Sequence, residues 1–346
     1  MPDQYISVYR ETLPLNNIKS RILKTVAAEA ARLIAGGFFI AQVLLAGCAT
    51  LQTQTLLQSE SIFPRQAELA DVPFFPQEQY QCGPAALATM LQSANKNVTP
   101  EELVAQVYLP NREGSLQIEM LAAARRQDVV PYVLNKKLED VIAEINAGNP
   151  VLILQNLGLS WLPKWHYAVV AGFDFENAEM ILRSGVEQRH VVPMKVFERT
   201  WARADYWAVV MVSAGKLPAT ADEQRYVETV AVLERTKKHE ISKIAYKTAL
   251  IRWPDNLAAM MGLGNSYYAL NEFAHAAATF RYATIAYPDA ADAFNNLADA
   301  LSQLQRFDEA LVAAKRAVEL GGKREVVYLQ TLKEIEQRVG AVPVRK

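Results

Sequence analysis

Two residues in this chain have the makings of a catalytic pair. Cys82 stands in "YQCGPAALATML" and His166 in "KWHYAVVAGFD". Thiolate is the nucleophilic form of cysteine, and an ordinary thiol with a pKa of about 8.5 is mostly protonated at neutral pH. The N-terminus of a helix favours negative charge through its free N–H groups and its dipole. Gly83 and Pro84 put Cys82 at such a start, because proline in a first helical turn loses nothing by lacking an N–H. The pattern predicts a thiol sharpened by the helix start, with Gly83 letting a substrate come close. The base for such a thiol can lie far away in sequence, on a strand. His166 opens an apolar run and is better placed for this than His190, His239 or His275. The four histidines share no metal-ligand spacing with one another or with Cys82, so no metal and no other cofactor is expected.

The elements that must position this pair are legible around it. "PAALATMLQSA", "SLQIEMLAAARRQ" and "KLEDVIAEINAGN" have helical character, the last with Gly148 near its end. "PVLILQN", "HYAVVAGFD", "AEMILRS" and "YWAVVMV" are short, rich in Val, Ile and aromatics, and predict strands. Helices followed by successive strands predict an α+β domain with an antiparallel sheet over residues 71–213. Residues 214–222, with Gly, Pro and small polar residues, predict a linker. Beyond it the chain is Ala-rich and repeats. Met260, Leu263, Gly264, Tyr267, Ala276, Phe280, Ala283 and Pro288 recur 34 residues later as Phe294, Leu297, Ala298, Leu301, Ala310, Ala314, Ala317 and Gly322. This period resembles the tetratricopeptide repeat, a helix-turn-helix unit. An all-α repeat domain is expected over 223–330, with its best units at 257–290 and 291–324 and a degenerate one at about 223–256. Such repeats bind partners and do no chemistry, so a protein partner is expected through them, and His239 and His275 read as surface residues.

A formal charge of −1 gives no footprint for nucleic acid. The N-terminus carries Arg10, Lys19, Arg21, Lys24 and Arg32 ahead of the apolar run "LIAGGFFIAQVLLAG", residues 33–47, which is short for a membrane span. "LAGC", ending at Cys48, resembles the lipobox of bacterial lipoproteins. That resemblance implies a signal peptide over 1–47, lipidation of Cys48, a tether over 48–70 and membrane attachment. Ala49 after the cysteine points to the outer membrane, facing the periplasm, within a bacterial cell envelope.

"VPFFPQEQYQCGPAALATML" together with "HYAVVAGFD" resembles the bacteriocin-processing cysteine peptidases, whose fold is papain-like. The resemblance spans about residues 71–213 and implies cleavage of peptide bonds in a peptide or protein substrate, often after a double-glycine leader. It makes Cys82 the nucleophile and His166 the general base, and Gln77 matches the oxyanion donor, with Gln79 and Gln81 as rivals. Where that family shows Asp-Pro after the strand following the histidine, this chain has "ILRSG", which puts Ser184 in place of the aspartate; Asp174 and Glu187 are alternatives. Two other functions compete: a binding scaffold that has lost catalysis, and a cell-wall peptide hydrolase on the same pair. "SWLPKW", residues 160–165, reads as a loop near the cleft, and Arg183 and Arg189 as solvated surface.

Overall fold

The computed structural model describes residues 50–59, 62–76 and 82–341. The signal region 1–47, Cys48, Gln77, Gln79 and Gln81 lie outside the described residues. Among the described residues, one compact body begins at Gln52.

Its first part is the α+β domain that helices followed by strands predict, with helices and strands interleaved along the chain. In chain order it comprises α1 (Leu51–Gln58), β1 (Gln66–Glu68), α2 (Cys82–Ser93), α3 (Pro100–Val107), β2 (Tyr108–Leu109), β3 (Gly114–Ser115) and α4 (Gln117–Arg126). Then follow β4 (Val130–Val133), α5 (Leu138–Asn146), β5 (Val151–Asn156), β6 (Trp165–Asp174), β7 (Glu179–Ser184), β8 (Glu187–Pro193), α6 (Met194–Ala202) and β9 (Ala208–Val212). The main sheet has the order β4-β9-β5-β6-β7-β8, with β1 added to the far end of β6, and every pairing is antiparallel.

Alternation along the strands splits the core in two. Leu152, Leu154, Tyr167, Val169 and Val209 pack against α2, α3 and α4. Val151, Ile153, Ala168, Val170 and Val210 face the other way, towards α5 and α6. Both faces of β5 are therefore covered, which is why its sequence is a continuous apolar run rather than an alternating one.

The stretch expected as a tether is folded onto this domain over its described part. Glu198 of α6, itself buried, accepts from the backbone N–H groups of Gln52 (3.2 Å) and Thr53 (2.7 Å) and so caps the start of α1. Thr53 and Leu56 are buried beneath that helix. Arg183 also departs from its expected place. It is 4% exposed, and its guanidinium donates to the carbonyls of Val72, Leu69 and Ala70, fixing the chain between β1 and α2. Arg189 does sit at the surface, paired with Glu68 at 3.0 Å.

Beyond residue 222 the chain is helical: α7 (Glu223–Arg235), α8 (His239–Arg252), α9 (Leu257–Ala269), α10 (Phe273–Ala286), α11 (Ala291–Gln303), α12 (Phe307–Leu320) and α13 (Glu325–Ala341). These make three helix pairs and a closing helix that runs past the expected end at 330. Gly264 of α9 is where the pair must approach closely. A Cβ there would collide with the Phe280 ring of α10. The degenerate first unit forms a regular pair because α7 finds its partner elsewhere. Its Tyr226 packs at 6.3 Å from Tyr132 of β4, so the sheet of the α+β domain supplies the burial that repeat sequence does not. A solenoid end needs such a cover.

The linker is tied down as well. Glu144 of α5, fully buried, accepts from the backbone N–H of Ala219 (3.2 Å), the N–H (2.8 Å) and hydroxyl (2.6 Å) of Thr220, and the side-chain amide of Asn149 (2.7 Å). Tyr132 accepts from the N–H of Asp222 at 3.0 Å. One apolar core runs through from β4 and α5 to the repeats.

Candidate active site

Cys82 is the first residue of α2, and the helix starts there for the reason the sequence suggests, with Pro84 in its first turn. Gly83 serves a different end from the one expected. A Cβ on it would collide with the side chain of Ser115, so glycine is required for β3 to pack against the helix rather than for a substrate to approach. The thiol also differs from expectation. Burial raises its pKa above the ordinary value, and the N–H groups of Tyr167, Gly83 and Cys82 itself only partly oppose that. At this position, loss of water outweighs the helix start.

His166 is the second residue of β6, opposite Gln155 of β5. Its Nε2 lies 2.8 Å from the hydroxyl oxygen of Ser184, the last residue of β7. Burial lowers the imidazole pKa from 6.5 to about 4, helped by the charges of His190 and Lys164. At neutral pH the resting pair is therefore an uncharged thiol and an uncharged imidazole. No hydrogen bond joins Cys82 to His166 among the described residues, but both line one cavity of about 1110 Å³.

Of the three residues weighed as partners of His166, the structure brings Ser184 to it and not the others. Asp174 ends β6, and its carboxylate accepts from the N–H groups of Glu176 (2.8 Å) and Asn177 (3.0 Å) in the turn to β7. Glu187 stands across from Ser184 in the β7–β8 pair, but its carboxylate is 2.9 Å from Nδ1 of His190.

The cavity floor and rim come from several elements. Arg112, Lys164 and Arg203 bring positive charge to it, against Glu113 and Asp205. One wall rises into a hairpin between β5 and β6. Asn156, buried, accepts from the N–H groups of Gly158 and Lys164 at 2.9 Å each, and Leu157 N–H donates to the Lys164 carbonyl. Arg203 Nε donates to the Asn156 carbonyl at 3.0 Å. On this firm base the hairpin holds Trp161 78% exposed, with Leu159, Leu162 and Trp165 also outward.

Residues 69–209 match the Peptidase_C39 like family, and residues 238–288 and 262–324 match the tetratricopeptide repeat. The chain joins a C39-like peptidase domain to tetratricopeptide repeats. Among solved structures, a protein described as a C39-like peptidase from Bacillus anthracis is similar at 20% identity, covering 43% of this chain and 98% of that one, with a TM-score of 0.37. The Sgt2 TPR domain from Aspergillus fumigatus is similar at 17% identity over 37% of this chain and 83% of its own, with a TM-score of 0.33. YrrB, described as a TPR protein with an unusual peptide-binding site, is similar at 24% identity over 34% and 61%, with a TM-score of 0.32. No curated protein matches the sequence.

Several residues of the C39-like site escape a reading of the sequence alone. Tyr167 was visible only as part of an apolar strand. Its backbone N–H reaches the Cys82 sulfur, and its phenol donates to the Ser115 carbonyl at 3.2 Å. Arg203 and Asp205 lie after a helix that no apolar run announced. Ser115 heads the stretch expected to be helical, but it ends β3, and the helix begins at Gln117.

Proposed function

We propose that the protein is a cysteine peptidase of the cell envelope, with Cys82 as nucleophile, His166 as general base and Ser184 holding the imidazole. One observation carries this reading. His166, with its Nε2 on Ser184, lines one cavity with Cys82 at the mouth of α2. In the reaction, the Cys82 sulfur bonds to the scissile carbonyl carbon as its proton passes to Nδ1, and the carbonyl π pair moves to oxygen. Collapse of that adduct breaks the C–N bond, and the proton on His166 goes to the departing amine. Water then attacks the thioester with His166 as base, releasing the acid and restoring the thiol. Both groups start uncharged, so proton transfer accompanies attack instead of preceding it.

Ser184 can accept the imidazole N–H but offers no charge to imidazolium, so it orients the ring more than it stabilises its charge. Gln77 is the proposed oxyanion donor. The repeats gather a peptide or protein, and Cys48 carries the lipid that holds the chain at the membrane.

The test uses the full chain. A denatured envelope proteome is incubated with wild-type protein or with Cys82→Ala, and new peptide N-termini are counted. Termini that appear only with the wild type, and disappear in His166→Ala, are the expected result. Identical patterns for wild type and Cys82→Ala would overturn the peptidase reading. They would favour a binding scaffold, for which the uncharged Ser184 and the raised thiol pKa already speak. Mass spectrometry of the purified chain tests the anchor, with diacylglycerol on Cys48 expected.

A further inference from the structure

The hairpin between β5 and β6 shows water a set of apolar side chains that its own rigidity keeps from folding back. Leu159 and Leu162 exchange both backbone hydrogen bonds at 3.1 Å, leaving Ser160 and Trp161 as a two-residue tip. Gly158 allows this, because a Cβ there would collide with the Leu162 carbonyl. Asn156 and Arg203 clamp the base. On this frame Leu157, Leu159, Trp161, Leu162 and Trp165 stand 46–78% exposed.

Residues 157–165 carry one charge, Lys164, and no acid. Leucine, tryptophan and a lone lysine suit a membrane interface. Leucines enter the acyl boundary, indole rings stay at headgroup level, and a cation meets phosphate. The charge beside the hairpin has the matching sign. Asp205 is already paired with Lys136, which leaves Arg112, Lys164 and Arg203 against Glu113 at the cavity rim.

The place where the chain enters the fold points the same way. Glu198 of α6 holds the N–H of Gln52, and Arg203, the C-cap of that helix, holds the Asn156 carbonyl at the hairpin base. These two anchors lie five positions apart, a rise of about 7.5 Å. Gln52 also donates to the Lys136 carbonyl at 3.1 Å, and Lys136 in turn pairs with Asp205. Cys48 stands four positions before Gln52, a reach of at most about 14 Å by any path.

We propose that the β5–β6 hairpin enters a lipid bilayer, Trp161 and Leu162 first, and holds the mouth of the Cys82 cavity at its surface. The approach from Gln52 rests on the lipid proposed for Cys48; the hairpin's own composition and exposure do not. A lipid attaches the chain without fixing its orientation, and the hairpin selects the face that meets the membrane. Pro163, Lys164 and Trp165 belong both to the hairpin and to the cavity wall, so the substrate class that follows is a peptide lying on the bilayer.

The test is quenching of tryptophan emission in the full chain by vesicles of phosphatidylethanolamine and phosphatidylglycerol with brominated acyl chains. None of the five tryptophans lies in residues 1–47, so the quench reports on the folded body. Brominated vesicles are expected to quench the wild type more than unbrominated ones, and Trp161→Phe to remove most of that difference. Trp253→Phe should leave it whole. Leu162→Asp should cut the quench by about tenfold, because a carboxylate is expelled from the apolar layer. Ile285→Asp, similarly exposed on α10, should not. No quench in the wild type, or an equal one in Trp161→Phe, would overturn the proposal. So would an unchanged quench in Leu162→Asp with slower cleavage of a soluble peptide, which would assign the hairpin to the substrate instead. Mass spectrometry of Cys48 separates this result from the anchor. A Trp161 quench without diacylglycerol fails the anchor and supports the hairpin, whereas diacylglycerol without a quench overturns the hairpin alone.

Discussion

In the C39-like domain the buried polar groups include the charges of Glu144, Glu198 and Arg183, whereas in the repeats they are small: Ser242, Ser266, Thr284, Asn295, Ser302 and Thr331. The difference follows from what each region has to hold. Each buried charge nails down an irregular segment far away in sequence: Glu144 the linker, Glu198 the start of α1, Arg183 the chain after β1. Donors meet both buried carboxylates and carbonyls meet two nitrogens of Arg183, so these segments and their anchors depend on each other. In the repeats three buried hydroxyls bond back to the turn before them, Ser242 to Lys238, Ser266 to Gly262 and Thr284 to Arg281. There the fold is held by shape, with glycine and alanine setting how close the helices come. The first region is assembled by long-range polar ties and the second by local packing.

That contrast can be broken or sharpened by substitution. The largest effect should be chemical and leave the frame alone. Cys82→Ala is expected to lower peptide cleavage by about 10⁴-fold or more with an unchanged Tm, measured by peptide assay and thermal unfolding. Next comes a polar tie: Glu144→Ala strands the donors of Ala219, Thr220 and Asn149, with an expected loss of about 3–5 kcal/mol in denaturant unfolding. If the repeats then unfold separately, the linker tie is what couples the two regions.

The third effect is a pH dependence. His166 has a folded pKa of about 4 against 6.5 unfolded, so between those values the unfolded chain binds the extra proton. Stability should therefore be complete above about pH 6.5 and fall by about 3 kcal/mol as pH drops to 4. In His166→Gln this dependence should vanish; if it persists, another group is responsible. Cleavage should follow the same imidazole, rising through about pH 4 and level by pH 6. Alkylation of Cys82 should be slow at neutral pH and accelerate only above pH 9, since burial raises the thiol pKa.

A smaller loss, about 1–3 kcal/mol, is expected for Gly264→Ala, whose added carbon meets the Phe280 ring. The smallest is Ser184→Ala, lowering kcat by about tenfold with KM nearly unchanged, since one neutral hydrogen bond to the imidazole goes. Ser184→Asp should raise the pKa of His166, which would show that the hydroxyl sits where a charge could act.

The sequence announced what depends on local pattern. β5, β6, β7 and β9 are apolar runs because both or one of their faces are buried, and the second and third helix pairs show in the spacing of small residues. Motifs point to Cys82 and His166 but leave the partner of His166 open among Ser184, Asp174 and Glu187; the hydrogen bond to Ser184 shows only once β6 and β7 are paired. What stayed hidden depends on distance. β8 is largely exposed, so it carries no apolar signature. Arg183 looks like any charged residue of a strand until the loop that it holds is in place. A helix start is readable from Gly-Pro, while the covering that raises the thiol pKa comes from elements elsewhere in the chain. The hold on the linker is hidden for the same reason: its anchor, Glu144, lies far upstream on α5.

The Glu144 tie also decides where this chain can be divided. Its sequence offers an obvious cutting place at Gly215 to Pro218, and a protease or a gene engineer would choose it. Severing there would leave the upstream piece with an ionised carboxylate bereft of its main-chain donors. The downstream piece would begin with Tyr226 and Val230 bare to water. Neither fragment would keep its own solubility, so the segment that looks most dispensable is the one the molecule can least do without.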